Sequence, residues 1–121
     1  MDIAIFGRNQ RLRDNLENGL RACLGSNSTV SVRQYEMSPR DILNERPPKP
    51  SAVFLIIDNA YALADAESVV EWGEGYPMVM AASSPEYALD GIRKKVKYYV
   101  LFPVDEGELR EALLRTGVIL N

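Results

Sequence analysis

The chain has 121 residues, a length that is typical of one domain and too short for two. Its hydrophobic and charged fractions, 46% and 26%, are close to those of globular proteins, so composition favours neither disorder nor a membrane protein. The net charge of −3 argues against a nucleic-acid-binding domain, and the absence of histidine excludes histidine-based acid–base mechanisms and most zinc sites.

Neither membrane insertion nor secretion is predicted. The longest apolar run, residues 52–57, is too short to span a bilayer, and the N-terminus lacks the basic and apolar regions of a signal peptide. Cys23 is the single cysteine and lies among apolar residues at helical spacing, where a small buried residue is expected. We therefore expect a cytoplasmic protein without an internal disulfide.

The first half of the chain predicts two strands, each followed by a helix. Residues 2–6 are a short apolar run, and residues 11–24 repeat leucine at helical spacing. Residues 29–35 alternate like a strand with one polar face, and Ser38 followed by Pro39 is typical of a helix start. A short second helix is therefore predicted over residues 39–45, before a proline-rich connection.

The second half continues the alternation. Residues 52–58 are almost entirely apolar, with β-branched and aromatic side chains, which predicts a central parallel strand buried on both faces. The later predicted elements are a helix over 64–74, a strand over 78–82, a helix from Pro85 to about residue 92, a strand over 98–101 and a helix over 106–115. Five strand–helix units predict one α/β domain over residues 1–121, a doubly wound flavodoxin-like sandwich with its sites at the carboxyl ends of the strands.

These segments resemble the receiver domain of bacterial response regulators. Asp58 ends an apolar strand, as the phosphoacceptor aspartate does in receivers. Residues 77–82, 86–89 and 98–104 look like receivers often coupled to LytTR-type DNA-binding domains. The resemblance implies a (βα)5 fold with a five-stranded parallel sheet and a role in signal transduction or transcription, without enzymatic activity.

The residues that a receiver uses for phosphoryl transfer are mostly replaced. The replacements are Gly7 and Arg8 for an acidic metal-binding pair, Ala82 beside Ser83 for a hydroxyl residue, and Phe102 for the lysine before Pro103. Because Mg²⁺ usually needs several oxygen ligands, Asp58 beside an arginine should hold it poorly. We expect no metal and no other cofactor. The resemblance also implies that the peptide before Pro103 is cis.

A cation stands where the two acids are missing, so we expect Arg8 to pair with Asp58 and to hold the domain in one conformation. Simpler interpretations are that Asp58 caps the following turn and that Arg8 is a solvated loop residue. Tyr99 matches the aromatic residue that reorients on activation of receivers, but an aromatic in a last strand is more commonly part of the core.

The leading functional prediction is a degenerate receiver that acts through a protein partner, an output domain or dimerisation. A dimer would use the surface of the fourth helix, fifth strand and fifth helix, where two runs of opposite charge could meet across a two-fold axis. These are Arg93, Lys94, Lys95 and Lys97 on one side, and Asp105, Glu106, Glu108 and Glu111 on the other. The alternative is that both runs are solvated helix surfaces.

Two other functions remain open. One is an active receiver that phosphorylates Asp58 and uses Ser83 or Ser84 as the hydroxyl contact. The other is a flavodoxin-like module that binds a nucleotide or flavin, although the sequence has no G-x-G-x-x-G or P-loop spacing. The chain is either a stand-alone protein or a fragment that lacks its output domain.

Overall fold

The computed structural model describes residues 1–25, 29–36, 50–72, 75–87 and 96–120. The strands are β1 (Asp2–Phe6), β2 (Ser31–Tyr35), β3 (Ala52–Ile57), β4 (Met78–Ala82) and β5 (Tyr98–Leu101). The helices are α1 (Gln10–Leu24), α2 (Ala60–Trp72) and α3 (Glu106–Arg115), and a single 3₁₀ turn covers Pro85–Tyr87. The predicted helix over 39–45 and residues 88–92 of the predicted fourth helix lie outside the described residues.

All five strands pair in parallel, in the order β2-β1-β3-β4-β5. The predicted five-stranded parallel α/β sheet is confirmed. β2 lies on one side of β1, and β3, β4 and β5 lie on the other side. The connection that follows β1 and the connection that follows β3 therefore leave the sheet in opposite directions. Such a switch point is where doubly wound sheets form their sites.

Two apolar clusters cover the two faces of the sheet. On one face, α1 and α3 pack against β1 and β3 through residues that include Leu16, Leu109 and Phe54. On the other face, α2 packs its Ala62, Ala66 and Val69 against the sheet. Every residue of β3 is buried, as its unbroken apolar sequence predicts. The clusters on both faces make the three layers that the alternating pattern indicates.

Side-chain caps decide where the helices begin. The Oδ1 atom of Asn9 accepts the N–H of Leu12 at 3.1 Å, and Oδ1 of Asn59 accepts the N–H of Ala62 at 2.9 Å. The second cap starts α2 at residue 60, so the prediction of a start at residue 64 was wrong.

Cys23 is partly rather than fully buried. It packs against the α1–α3 side of the core, and its Sγ donates to the carbonyl oxygen of Glu106 at 3.4 Å. Among the described helices, none is both long enough and apolar enough to cross a membrane.

Candidate functional site

The carboxyl ends of β3, β4 and β5 bring three predicted site positions together. Strand register pairs Ile57 with Ala82 and Ala82 with Leu101. The pairing continues one residue further, because the N–H of Ser83 donates to the carbonyl oxygen of Ile57 at 3.0 Å and the N–H of Phe102 donates to that of Ala82 at 2.9 Å. Asp58, Ser83 and Phe102 therefore follow neighbouring strand ends.

Asp58 is half-buried directly after β3. Its Oδ1 accepts a hydrogen bond from Nδ2 of Asn59 at 3.3 Å. Because Asn59 supplies the cap of α2, the interpretation of Asp58 as the cap of the following turn was wrong. The Asp58 carboxylate therefore lies at the carboxyl end of the central strand β3, and its described hydrogen-bond donor is the neutral side-chain amide of Asn59.

Gly7 lies in a confined position between β1 and α1. Its N–H donates to the carbonyl oxygen of Tyr35 at 3.1 Å, and its own carbonyl oxygen accepts Nη1 of Arg13 at 2.5 Å. A Cβ atom on Gly7 would lie 2.9 Å from Cβ of Ile56 in β3. Cβ atoms essentially never come that close, so an acidic side chain fits at position 7 only if the backbone of β1 or β3 moves.

Arg8 forms an ion pair with Asp65 of α2. Its Nε and Nη2 atoms lie 2.6 Å and 2.5 Å from the same Oδ2 oxygen. The expectation that Arg8 pairs with Asp58 was therefore wrong. Arg8 is an exposed loop residue, as the simpler interpretation had it, but it also forms this ion pair. Asp65 explains the preference, because its side chain is only 12% exposed and a carboxylate removed from water needs a charged partner.

Asp65 lay inside the predicted helix, but its place beside the apolar stripe was not recognised. In the observed α2, Asp65 follows Ala62 by three residues and precedes Val69 by four, which places it beside the apolar stripe. An acidic residue on the packed side of a helix is a signal that a cation lies nearby. That signal predicts an ion pair but does not identify Arg8 as the partner.

A polar network on the other face was also missed. Arg13 of α1 is only 8% exposed, and its Nε donates to Oε1 of Gln34 in β2 at 3.1 Å. Nε2 of Gln34 in turn donates to Asp14 and to Glu17, each at 3.0 Å. Arg13 shares the buried stripe of α1 with Leu16 and Leu20, and that position was the available sequence signal.

The remaining predicted residues are placed as follows. Ala82 is fully buried, Ser83 is exposed, and Phe102 packs partly buried against the α1–α3 side of the core. The peptide between Phe102 and Pro103 is cis, which confirms what the resemblance implied. Tyr99 is 38% exposed on the edge strand β5, so its interpretation as plain core was wrong.

At the carboxyl ends of β1 and β3, the charged groups described are the half-buried Asp58 carboxylate and the Arg8 guanidinium, which is paired with Asp65. Within the described ranges, no three acidic, cysteine or histidine side chains lie close enough together to hold a metal ion. Gly7 contributes no side chain, and the charge of Arg8 is balanced by Asp65. Mg²⁺ prefers several oxygen ligands, and Asp58 is the carboxylate that the strand ends supply here.

No family model matches the chain, and no curated protein matches its sequence. Solved structures match it over nearly its whole length. The bacteriophytochrome response regulator AtBRR is 20% identical with a TM-score of 0.72, covering 99% of this chain and 94% of that one. A CheY-like response regulator from Mesorhizobium loti is 19% identical with a TM-score of 0.71, covering 95% and 97%.

A third match, named as a pilus assembly protein (cpaE) from Burkholderia thailandensis, is 16% identical with a TM-score of 0.72, covering 98% of this chain and 99% of that one. At these identities the likeness shows the fold. The chain therefore has the CheY-like receiver fold, and the resemblance read from its sequence is confirmed at that level.

Proposed function

We propose that this chain is a degenerate receiver domain that works in signal transduction through protein contacts and without metal-dependent phosphorylation. The observation that carries the proposal is the pairing of Arg8 with Asp65 at the position where a receiver would hold its acidic pair. A regulatory domain with this fold needs no catalytic activity of its own.

The charges at the sheet edge support the absence of phosphorylation. Transfer of a phosphoryl group to a carboxylate requires cations that neutralise the charge on the phosphoryl oxygens. The guanidinium of Arg8 is already engaged by Asp65, and Phe102 takes the place of a lysine. A metal-binding carboxylate at position 7 would require β1 or β3 to move, because its Cβ would lie 2.9 Å from Cβ of Ile56.

The partner of this domain is a protein, either another chain or an output domain of the same one, in the cytoplasm. A homodimer through β5 and α3 is the specific form that we favour. Lys97 and Tyr99 are exposed at the β5 edge, and Asp105 and Glu106 are exposed at the start of α3. Fold matches among both response regulators and pilus assembly proteins are compatible with such a contact role.

Phosphorylation of the purified protein tests the proposal. The protein is incubated with acetyl phosphate and Mg²⁺, and its intact mass is measured beside that of the Asp58→Asn variant. We expect the wild-type protein and the variant to be equally free of a phosphate adduct. A parallel titration with beryllofluoride and Mg²⁺, followed by amide NMR, should leave the signals of residues near Asp58 unshifted.

One observation favours a second function, that of an active phosphoacceptor. The backbone hydrogen bond from Ser83 to Ile57 holds a hydroxyl residue next to the strand end that carries Asp58. A phosphate adduct that appears in the wild-type protein and is lost in Asp58→Asn would establish this function and refute the first. The Ser83→Ala variant would then show whether its hydroxyl contributes.

A further inference from the structure

The ion pair between Arg8 and Asp65 joins two parts of the chain that are 57 residues apart. Arg8 belongs to the connection between β1 and α1, whereas Asp65 belongs to α2, which covers the opposite face of the sheet from α1. The pair therefore crosses the switch point between the β1–α1 and β3–α2 units.

The two partners are unequally exposed to water. The Asp65 side chain is 12% exposed, whereas that of Arg8 is 51% exposed. Both described contacts of Asp65 come from Arg8 and reach the same oxygen, Oδ2. Asp65 thus depends on Arg8 for its neutralisation, so separating the pair leaves a poorly exposed carboxylate without a counter-charge.

The same connection is already held on its other side. Gly7 is bonded through its N–H to β2 and through its carbonyl oxygen to Arg13 of α1. Asn9 then caps α1 through Leu12. These contacts attach residues 7–9 to the α1 face, and the Arg8–Asp65 pair adds an attachment to α2 on the far face.

We propose that the Arg8–Asp65 pair is a built-in latch, which holds the β1–α1 connection against α2 in one arrangement without a metal or a phosphoryl group. The latch rests on the function proposed above and adds to it. It assigns to a protein side chain the role of holding the carboxyl end of the sheet in one conformation. Any signal that moves the β1–α1 connection away from α2 must first separate Arg8 from Asp65.

Amide hydrogen exchange of the full chain tests the latch. In Asp65→Asn, which keeps the shape of the side chain, we expect exchange of the hydrogen-bonded amides of Gly7 and Ala62 to become about tenfold faster than in the wild type. Arg8→Gln should have the larger effect, because it leaves the poorly exposed Asp65 carboxylate without its partner. Arg8→Lys keeps the charge and should recover part of the protection.

Arg115→Gln is the matched control. Arg115 is also a well-exposed arginine, with 59% of its side chain accessible, and it pairs with Glu111 within its own helix. We expect its removal to leave exchange of the Gly7 and Ala62 amides unchanged. Unchanged exchange at both amides in Asp65→Asn would overturn the latch, and so would a uniform increase over the whole chain, because either result removes the local coupling.

The result is independent of the phosphorylation test. A phosphate adduct on Asp58 together with faster local exchange in Asp65→Asn would refute the proposed function, and with it the role of the latch as a substitute for phosphorylation, and would leave only the local coupling between Arg8 and Asp65. Absence of an adduct together with unchanged exchange would do the reverse.

Discussion

Arg13 of α1 donates from Nη1 to the carbonyl oxygen of Gly7 while only 8% of Arg13 is exposed. Its other described acceptor is the side-chain amide of Gln34, so the acids of the network, Asp14 and Glu17, reach the guanidinium only through that amide. A nearly buried cation thus fixes the backbone of the connection from which Arg8 extends.

Replacing Arg13 by methionine should lower the free energy of unfolding by about 1–3 kcal/mol, because the oxygens of Gly7 and Gln34 lose their donor. Arg13→Lys should recover part of the loss, since lysine keeps the charge but not the two-pronged geometry. Urea denaturation measures both. Arg11→Met, at an exposed position of the same helix, is the control and should change stability by less than about 0.5 kcal/mol; an equal loss in Arg11→Met would contradict the role of Arg13.

Gly7→Ala should be destabilising by about 1–3 kcal/mol, because the new Cβ would meet Ile56 at 2.9 Å and the strands would have to shift. Gly107→Ala provides the comparison. Its Cβ would meet nothing closer than 3.6 Å in α3, so it should be neutral or stabilising by up to about 1 kcal/mol. The midpoints of thermal unfolding of both variants distinguish steric crowding from the general effect of replacing glycine. Similar midpoints for the two variants would contradict the steric explanation.

The thiol of Cys23 should react slowly at neutral pH. Burial raises its pKa, the negative charges of Glu106 and Asp105 add to the rise, and Arg110 opposes it. The rate of alkylation should therefore increase with pH, with its midpoint above that of the unfolded chain. Glu106→Gln should speed alkylation at a given pH and Arg110→Gln should slow it; changes of the same sign in the two variants would exclude the electrostatic cause.

The same pKa shift has a defined effect on stability. Because the folded pKa lies above the unfolded one, the contribution of Cys23 is complete below the unfolded pKa and is lost as the pH rises toward the folded pKa. A Cys23→Ala variant should therefore show a smaller decline of stability over that alkaline range than the wild type. Urea denaturation at several pH values checks the difference.

Charge reversal at the β5 edge should weaken a homodimer. Lys97 is exposed beside β5, and Lys97→Glu should raise the dissociation constant by about fivefold, equivalent to roughly 1 kcal/mol at an exposed contact. Arg33→Glu makes the same reversal in β2 at the opposite edge of the sheet and should have no effect. Light scattering over a concentration series at two salt concentrations measures the dissociation constants of both variants. An equal rise in the two constants would indicate an effect of net charge and not of a specific surface.

The central strands were predictable because each is a short apolar run that is buried on both faces, and β2 was predictable because its sequence alternates. Residues 52–57 are the clearest case, with every side chain buried in a sheet covered on both sides. The start of α2 was misplaced because it depends on one capping side chain, Asn59, which leaves no periodic signal.

The candidate site was only partly predictable for a different reason. The carboxyl ends of β3, β4 and β5 follow from the fold, so Asp58, Ser83 and Phe102 could be assigned to one edge. The partner of Arg8 could not, because the choice between Asp58 and Asp65 depends on which carboxylate is less exposed to water. That quantity exists only in the packed protein.

The narrow gap between Gly7 and Ile56 also constrains how this sequence can change. A single substitution that introduced aspartate at position 7 would bring its own backbone penalty, so the fitness of that mutation is tied to the residue at position 56. Introduction of an acidic cluster here by stepwise mutation would pass through a destabilised intermediate. The two positions are therefore expected to be epistatic, and a side chain at position 7 would first require a change in the third strand.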